Sequence, residues 1–278
     1  MPKKGSRLAW LRAPKPRDTE GSMSIFDHLR ELRYRFLMSM IAIIITTAIA
    51  LIFQAQLLAV VLWPIDQAVQ IFNNARPTDH VEMVTQGVTA GFALYFKVGF
   101  LAGFIAACPV WLYHLWRFII PALGRRERTT ARLFLVAAIP LFLAGVALGY
   151  SMCPYGFAVM LSFNPPTVTN LNDVGTFLNF ELRLLVVFGL TFLLPVLLVA
   201  LNKLGLVTGH ALGRFRSVAI VICAVFSAIA TPADPLTMIV LLIPMVAMYV
   251  IAEVICRIND SRRLKKPENL GLSEPSPS

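Results

Sequence analysis

Two carboxylates lie in segments crowded with arginine. Glu31 lies in "DHLRELRYRF", Asp27 to Phe36, and Glu127 lies in "PALGRRERTTAR". A carboxylate in a positive field stays ionised, and its two oxygens match the planar fork of a guanidinium. The chemistry such a pair offers is bidentate capture of arginine side chains from another chain. The plainer reading of Glu31 is an i,i+4 pair with Arg35 on its own helix, worth about 0.3–0.5 kcal/mol. The residues alone leave both readings open.

The elements that must carry these groups are set by composition. Of 278 residues, 57% are hydrophobic and 14% charged, and the mean hydropathy is +0.71. That excludes a soluble domain and predicts an all-α integral membrane protein. A net charge of +10 implies no nucleic-acid partner when the cations sit in loops between apolar runs. A span needs about 20 apolar residues. Six runs answer: Phe36–Phe53, Gly91–Trp116, Leu133–Tyr150, Phe177–Leu201, Ser217–Ala230 and Leu236–Ala252.

Lys and Arg gather before the first run, after the second (Arg125, Arg126, Arg128, Arg132), between the fourth and fifth (Lys203, Arg214, Arg216) and after the sixth, whereas loops 54–87 and 153–175 hold only Arg76. The positive-inside rule then places both termini in the cytoplasm. On that side, between Asp27 and Arg216, the acids are Asp27, Glu31 and Glu127. Residues 1–22 and 257–278 read as basic, disordered tails around a membrane domain at 23–256. Pro109, Pro140, Pro195 and Pro244 fall within the runs, so a kinked, cup-like bundle is expected. The fifth and sixth spans are the short ones, and at about 1.5 Å per residue the fifth covers roughly 21 Å.

Ser24 and Asp27 resemble a capping box, and Ile25, Phe26, Leu29, Leu32 and Phe36 recur at helical spacing. His28, Glu31 and Arg35 share the opposite face, which predicts that Glu31 is on the outside. Gly99 and Gly103, and Gly145 and Gly149, form G-x-x-x-G pairs suited to close helix packing. Lys97 either snorkels to an interface or lines a cavity. Glu181 and Arg183, two residues apart, point to different faces. Cys108, Cys153, Cys223, Cys256 and His114 lack the spacing of a metal site, and no H-E-x-x-H, G-x-S-x-G or P-loop occurs. No catalytic set, metal or cofactor is expected.

The motifs "HLRELRYR", "LWPI", "LWRFIIPALGRRER", "FGLTFLLPVLL" and "ATPADP...IP", in this order over residues 24–253, resemble those of the TatC family, receptor subunits of the twin-arginine protein translocase. The resemblance implies a receptor in a prokaryotic cell membrane that binds twin-arginine signal peptides and joins TatA- and TatB-like single-helix subunits, in several copies, to export folded proteins. It assigns Glu31 and Glu127 as the signal-peptide carboxylates. Arg33 and His28 accompany the first, and Phe118, Pro121 and Leu123 the second. Pro64 and Phe92 match motif residues of the first outer loop, and Thr231, Pro232 and Asp234 those of the last. The chain departs from the family at Leu193, where many members carry a Glu before Pro195, and at Met238, where some carry a Gln. Its Glu253 also falls one turn beyond the usual acidic position. The alternative is a secondary transporter of a small solute, suggested by Lys97, Glu181 and Arg183, although no internal repeat accompanies it.

Overall fold

Hydrocarbon offers no partner to a bare backbone N–H or C=O, so a chain this apolar must satisfy them within helices. The computed structural model describes residues 25–76, 81–85, 87–119, 128–163, 170–203, 205–230 and 235–264. The elements are α1 (Ile25–Ile52), α2 (Gln54–Ala75), β1 (Val81–Val84), α3 (Ala90–Ala106), α4 (Cys108–Ile119), α5 (Arg128–Ser162), β2 (Asn170–Asp173), α6 (Val174–Lys203), α7 (Gly209–Arg214), α8 (Arg216–Ala230) and α9 (Pro235–Leu264). Among the described residues five helices, α1, α2, α5, α6 and α9, are long and apolar enough to cross a membrane, six if α3 and α4 form one bent span, and α8 is a shorter apolar helix. By contact the chain divides into two compact units. One holds the residues up to Leu58 with Tyr95–Ile139, the other Ala59–Leu94 with the residues from Pro140 onward.

In the first unit, α1 packs on α3 and α4. The second predicted span is broken by 57° between α3 and α4. Pro109 lacks an N–H and crowds the preceding turn, so the chain bends at Ala107, whose own N–H still donates to the Gly103 carbonyl at 2.9 Å. Gly99 and Gly103 are the contact surface for α1. A Cβ on Gly103 would lie 2.6 Å from Thr47 Cα, and one on Gly99 would lie 2.6 Å from Leu51 Cδ2. The approach lets the Thr46 hydroxyl donate to the Gly103 carbonyl at 2.7 Å.

In the second unit, α2 corrects the sequence reading, which left 54–87 as a loop. Asp66 interrupts its apolar run, so a search for long charge-free stretches passes over it. Yet Val61, Ile65, Ala68 and Phe72 recur at helical spacing and are all buried. Ile65, Ala68 and Phe72 join a core with Cys153, Phe157, Leu161, Phe177 and Phe180. Trp63 stacks on Tyr150 at 5.9 Å, the Tyr150 hydroxyl donates to the Val60 carbonyl at 2.6 Å, and Arg76 donates to the Ser162 carbonyl at 3.2 Å. Two short strands, absent from the all-helical expectation, pair in parallel with Val81 opposite Asn170 and Val84 opposite Asp173.

Local signals start and stop these helices. The Asp173 carboxylate accepts from the Thr176 N–H at 3.0 Å and so caps α6. At the other end Gly205, with φ +76°, takes the left-handed conformation that closes a helix, and its N–H donates to Asn202 O at 2.9 Å. Helix α8 is short, as expected, at 15 residues. Helix α9, in contrast, has 30 residues and runs past Ala252 to Leu264. The segment expected to be tail from 257 therefore begins as helix, because Arg257 can pair back to Glu253 at i,i+4.

Candidate functional site

Helix α1 carries Glu31 at the start of the first span, and the structure corrects its orientation. Glu31 is 6% exposed, whereas Leu29, Leu32 and Phe36 of the apolar stripe are open. In a soluble helix the stripe would turn inward. Next to lipid the apolar face turns outward, and the polar face is what remains to pack on protein. Arg35 follows one turn later, equally enclosed. Its Nε donates to Glu31 Oε1 at 3.0 Å, and its Nη2 also bonds Oε1. Arg35 thus engages one oxygen of the carboxylate, and among the described residues nothing bonds Oε2. Arg33 is exposed beside it.

Helix α4 supplies the neighbouring wall. Arg35 and Arg117 both act electrostatically on His114, whose Nδ1 is buried without a hydrogen-bond partner among the described residues. The Arg117 guanidinium bonds the Tyr113 hydroxyl and sits 5.6 Å from the centroid of its ring. Trp111 is anchored by its indole N–H to the Phe104 carbonyl at 3.1 Å, and Trp116 stacks on Phe134 at 5.6 Å. These aromatics anchor α4, which sets His114 within electrostatic reach of Arg35 and of Arg117. The site contains cations, one engaged carboxylate and aromatic planes, which together suit recognition of a charged peptide.

Of the residues named from sequence, the structure brings Glu31, Arg33 and Arg35 together on α1 and places half-buried Phe118 at the end of α4. His28 is within α1, but its side chain, with Pro121, Leu123 and Glu127, lies outside the described residues, as do Thr231, Pro232 and Asp234. Pro64 is buried within α2 and Phe92 is exposed on α3. Sequence reasoning weighed His114 as a metal ligand and missed its place against Arg35, because α1 and α4 meet only in the fold. Glu181 and Arg183 do face opposite ways: Glu181 is fully enclosed with both oxygens unbonded among the described residues, and Arg183 is exposed. The four cysteines are free and buried, as small apolar residues are.

These features define a polytopic α-helical membrane protein. A sequence profile described as "Sec-independent protein translocase protein (TatC)" matches residues 27–244. The Sec-independent translocase protein TatC of Rothia mucilaginosa is 34% identical, over 89% of this chain and 83% of that one. The TatC protein of Aquifex aeolicus is also 34% identical, over 83% and 93%. A crystal structure described as the twin-arginine translocase receptor TatC superposes with a TM-score of 0.73 at 33% identity, covering 84% of this chain and 99% of that chain. The chain belongs to the TatC family. It is a protein translocase component, and the small-solute transporter gives way to that reading.

Proposed function

We propose that this chain is the receptor of a twin-arginine translocase and that Glu31 captures an arginine of the signal peptide. The observation that carries the reading is the half-used carboxylate: Arg35 occupies Oε1, and none of the described residues bonds Oε2. A guanidinium arriving at Oε2 meets a preoriented, sheltered acceptor, where charge-assisted hydrogen bonds are strong. Because Arg35 already neutralises Glu31 and Arg33 adds positive charge, a second guest arginine needs a second acid. Glu127 supplies it, with His28, Phe118, Pro121 and Leu123 shaping the surroundings. Lysine, a point charge without a fork, substitutes poorly.

Six crossings, by α1, α3 with α4, α5, α6, α8 and α9, put both termini in the cytoplasm. Helix α2, the least apolar of the long helices, then lies against the outer side as an amphipathic element. Its Pro64, with Phe92, and the Thr231, Pro232 and Asp234 segment belong to outer loops of a protein in the cell membrane. Short α8 thins the bilayer where single-helix TatA- and TatB-like subunits pack, in a complex of several copies.

The test is crosslinking or binding of a twin-arginine peptide to the chain in membranes. Glu31→Gln and Glu127→Gln should each weaken binding about thirtyfold or more, and a twin-lysine peptide should bind as weakly. Equal binding by both peptides and all variants overturns the reading.

A further inference from the structure

Where α8 begins and α9 nears its end, one buried carboxylate holds two arginines. Glu253 is 1% exposed. Its Oε2 accepts from Arg216 Nε at 3.0 Å, and its Oε1 accepts from Arg216 Nη2 at 2.9 Å and from Arg257 Nη2 at 2.7 Å. The arginine side chains themselves remain 50% and 52% exposed. Each guanidinium has five N–H donors, so three bonds to Glu253 leave most of them directed elsewhere. Two cations on one anion also leave net positive charge.

The frame behind this pair is built closely. The Asp260 carboxylate accepts from the Gly209 N–H at 2.6 Å and from Asn202 Nδ2 at 2.7 Å, so it is committed to neutral donors. Asn259 in turn donates to Asn202 Oδ1 at 2.7 Å. A Cβ on Gly209 would lie 2.5 Å from the Arg257 backbone nitrogen, and one on Gly213 would fall on the Arg257 guanidinium. The two glycines of α7 thus make the room that Arg257 occupies. Arg214 and Arg262 add exposed cations nearby in sequence, and exposed Val218, Val221, Val254 and Ile258 continue from the arginines along α8 and α9.

We propose that Arg216 and Arg257, drawn together and oriented by Glu253, bind the phosphate headgroup of an anionic phospholipid whose acyl chains lie on the open apolar faces of α8 and α9. Guanidinium forks match phosphate oxygens. The adjoining apolar surface distinguishes a lipid from a soluble anion, which would use the cations alone. Basic clusters at helix ends attract anionic headgroups with about 1 kcal/mol per cation, or roughly a fivefold change in affinity.

The test is native mass spectrometry of the purified full chain with phosphatidylglycerol and phosphatidylcholine offered together. The wild type should retain phosphatidylglycerol in preference. Arg257→Gln, which leaves both Arg216 bonds to Glu253 in place, should retain about fivefold less, while Arg257→Lys keeps most of the preference. Arg183→Gln, toward the other end of α6, should behave as wild type. Equal retention of both lipids, an equal loss in Arg183→Gln, or displacement of the lipid by inorganic phosphate overturns the proposal, as does retention of an acidic peptide in place of lipid. If Arg257→Gln fails to fold, exposed Ile258→Glu, which sets an anion beside the arginines, should lower the retention in its place, and unchanged retention there overturns the proposal.

Discussion

Glu31 is a buried acid whose stability depends on a single neighbouring turn. Arg35 and Glu31 are both enclosed, at 11% and 7% side-chain exposure, so removing one partner strands the other charge. Arg35→Gln should lower stability by about 3 kcal/mol, and the double variant Glu31→Gln/Arg35→Gln should recover part of that loss, because neither charge is then orphaned. Thermal melts of the four proteins in one detergent measure the coupling. The Glu253 cluster divides unequally: Arg216 makes two of its three bonds and Arg257 one. Arg216→Gln should therefore lower the melting temperature more than Arg257→Gln does. Spacing alone showed that His28, Glu31 and Arg35 share a face. It could not show which way the face turns, since that depends on whether lipid or water surrounds the helix. The Arg257 bond to Glu253 was legible at i,i+4, but Arg216 is 37 residues away and only the fold reveals it.

Elements in this chain meet through glycine as much as through large side chains. Gly103→Ala would bring a methyl to 2.6 Å from both Thr47 Cα and Thr47 N, backbone atoms that cannot swing aside as the Thr47 hydroxyl could. It should destabilise by about 1–3 kcal/mol. Gly145→Ala meets the Phe188 carbonyl at 2.6 Å and should cost a similar amount within its own unit. Gly91→Ala, with open space around it, should be neutral or stabilise α3 by up to about 1 kcal/mol. Melts of the three variants separate packing from helix propensity, and equal effects would refute the close-approach account. The G-x-x-x-G pairs were readable in the sequence because small residues at that spacing have few other uses in an apolar helix. Helix α2 was obscured because its apolar run is interrupted by exposed Asp66 and flanked by Gln and Asn, which resemble loop composition until the period of Val61, Ile65, Ala68 and Phe72 is noticed.

The whole molecule has a direction across the bilayer that labelling can read. The native cysteines are all buried, so background reaction should be low. A cysteine replacing exposed Ser261 near the end of α9 should react with an impermeant maleimide only from the cytoplasmic side. One replacing exposed Thr176 at the start of α6 should react only from outside, and the reverse pattern would overturn the assigned orientation. The proposed direction rests on the uneven distribution of Lys and Arg, a property of the whole sequence that needs no knowledge of contacts. The parallel ladder between Val81–Val84 and Asn170–Asp173 was not readable that way, and it imposes a schedule on biosynthesis. The second strand emerges about ninety residues after the first, which at 5–20 residues per second is a wait on the order of 5–20 s. For that interval β1 is an unpaired edge on a protein still being inserted. The ladder can close only after α3, α4 and α5 have been made, so it records the completion of the first two-thirds of the chain.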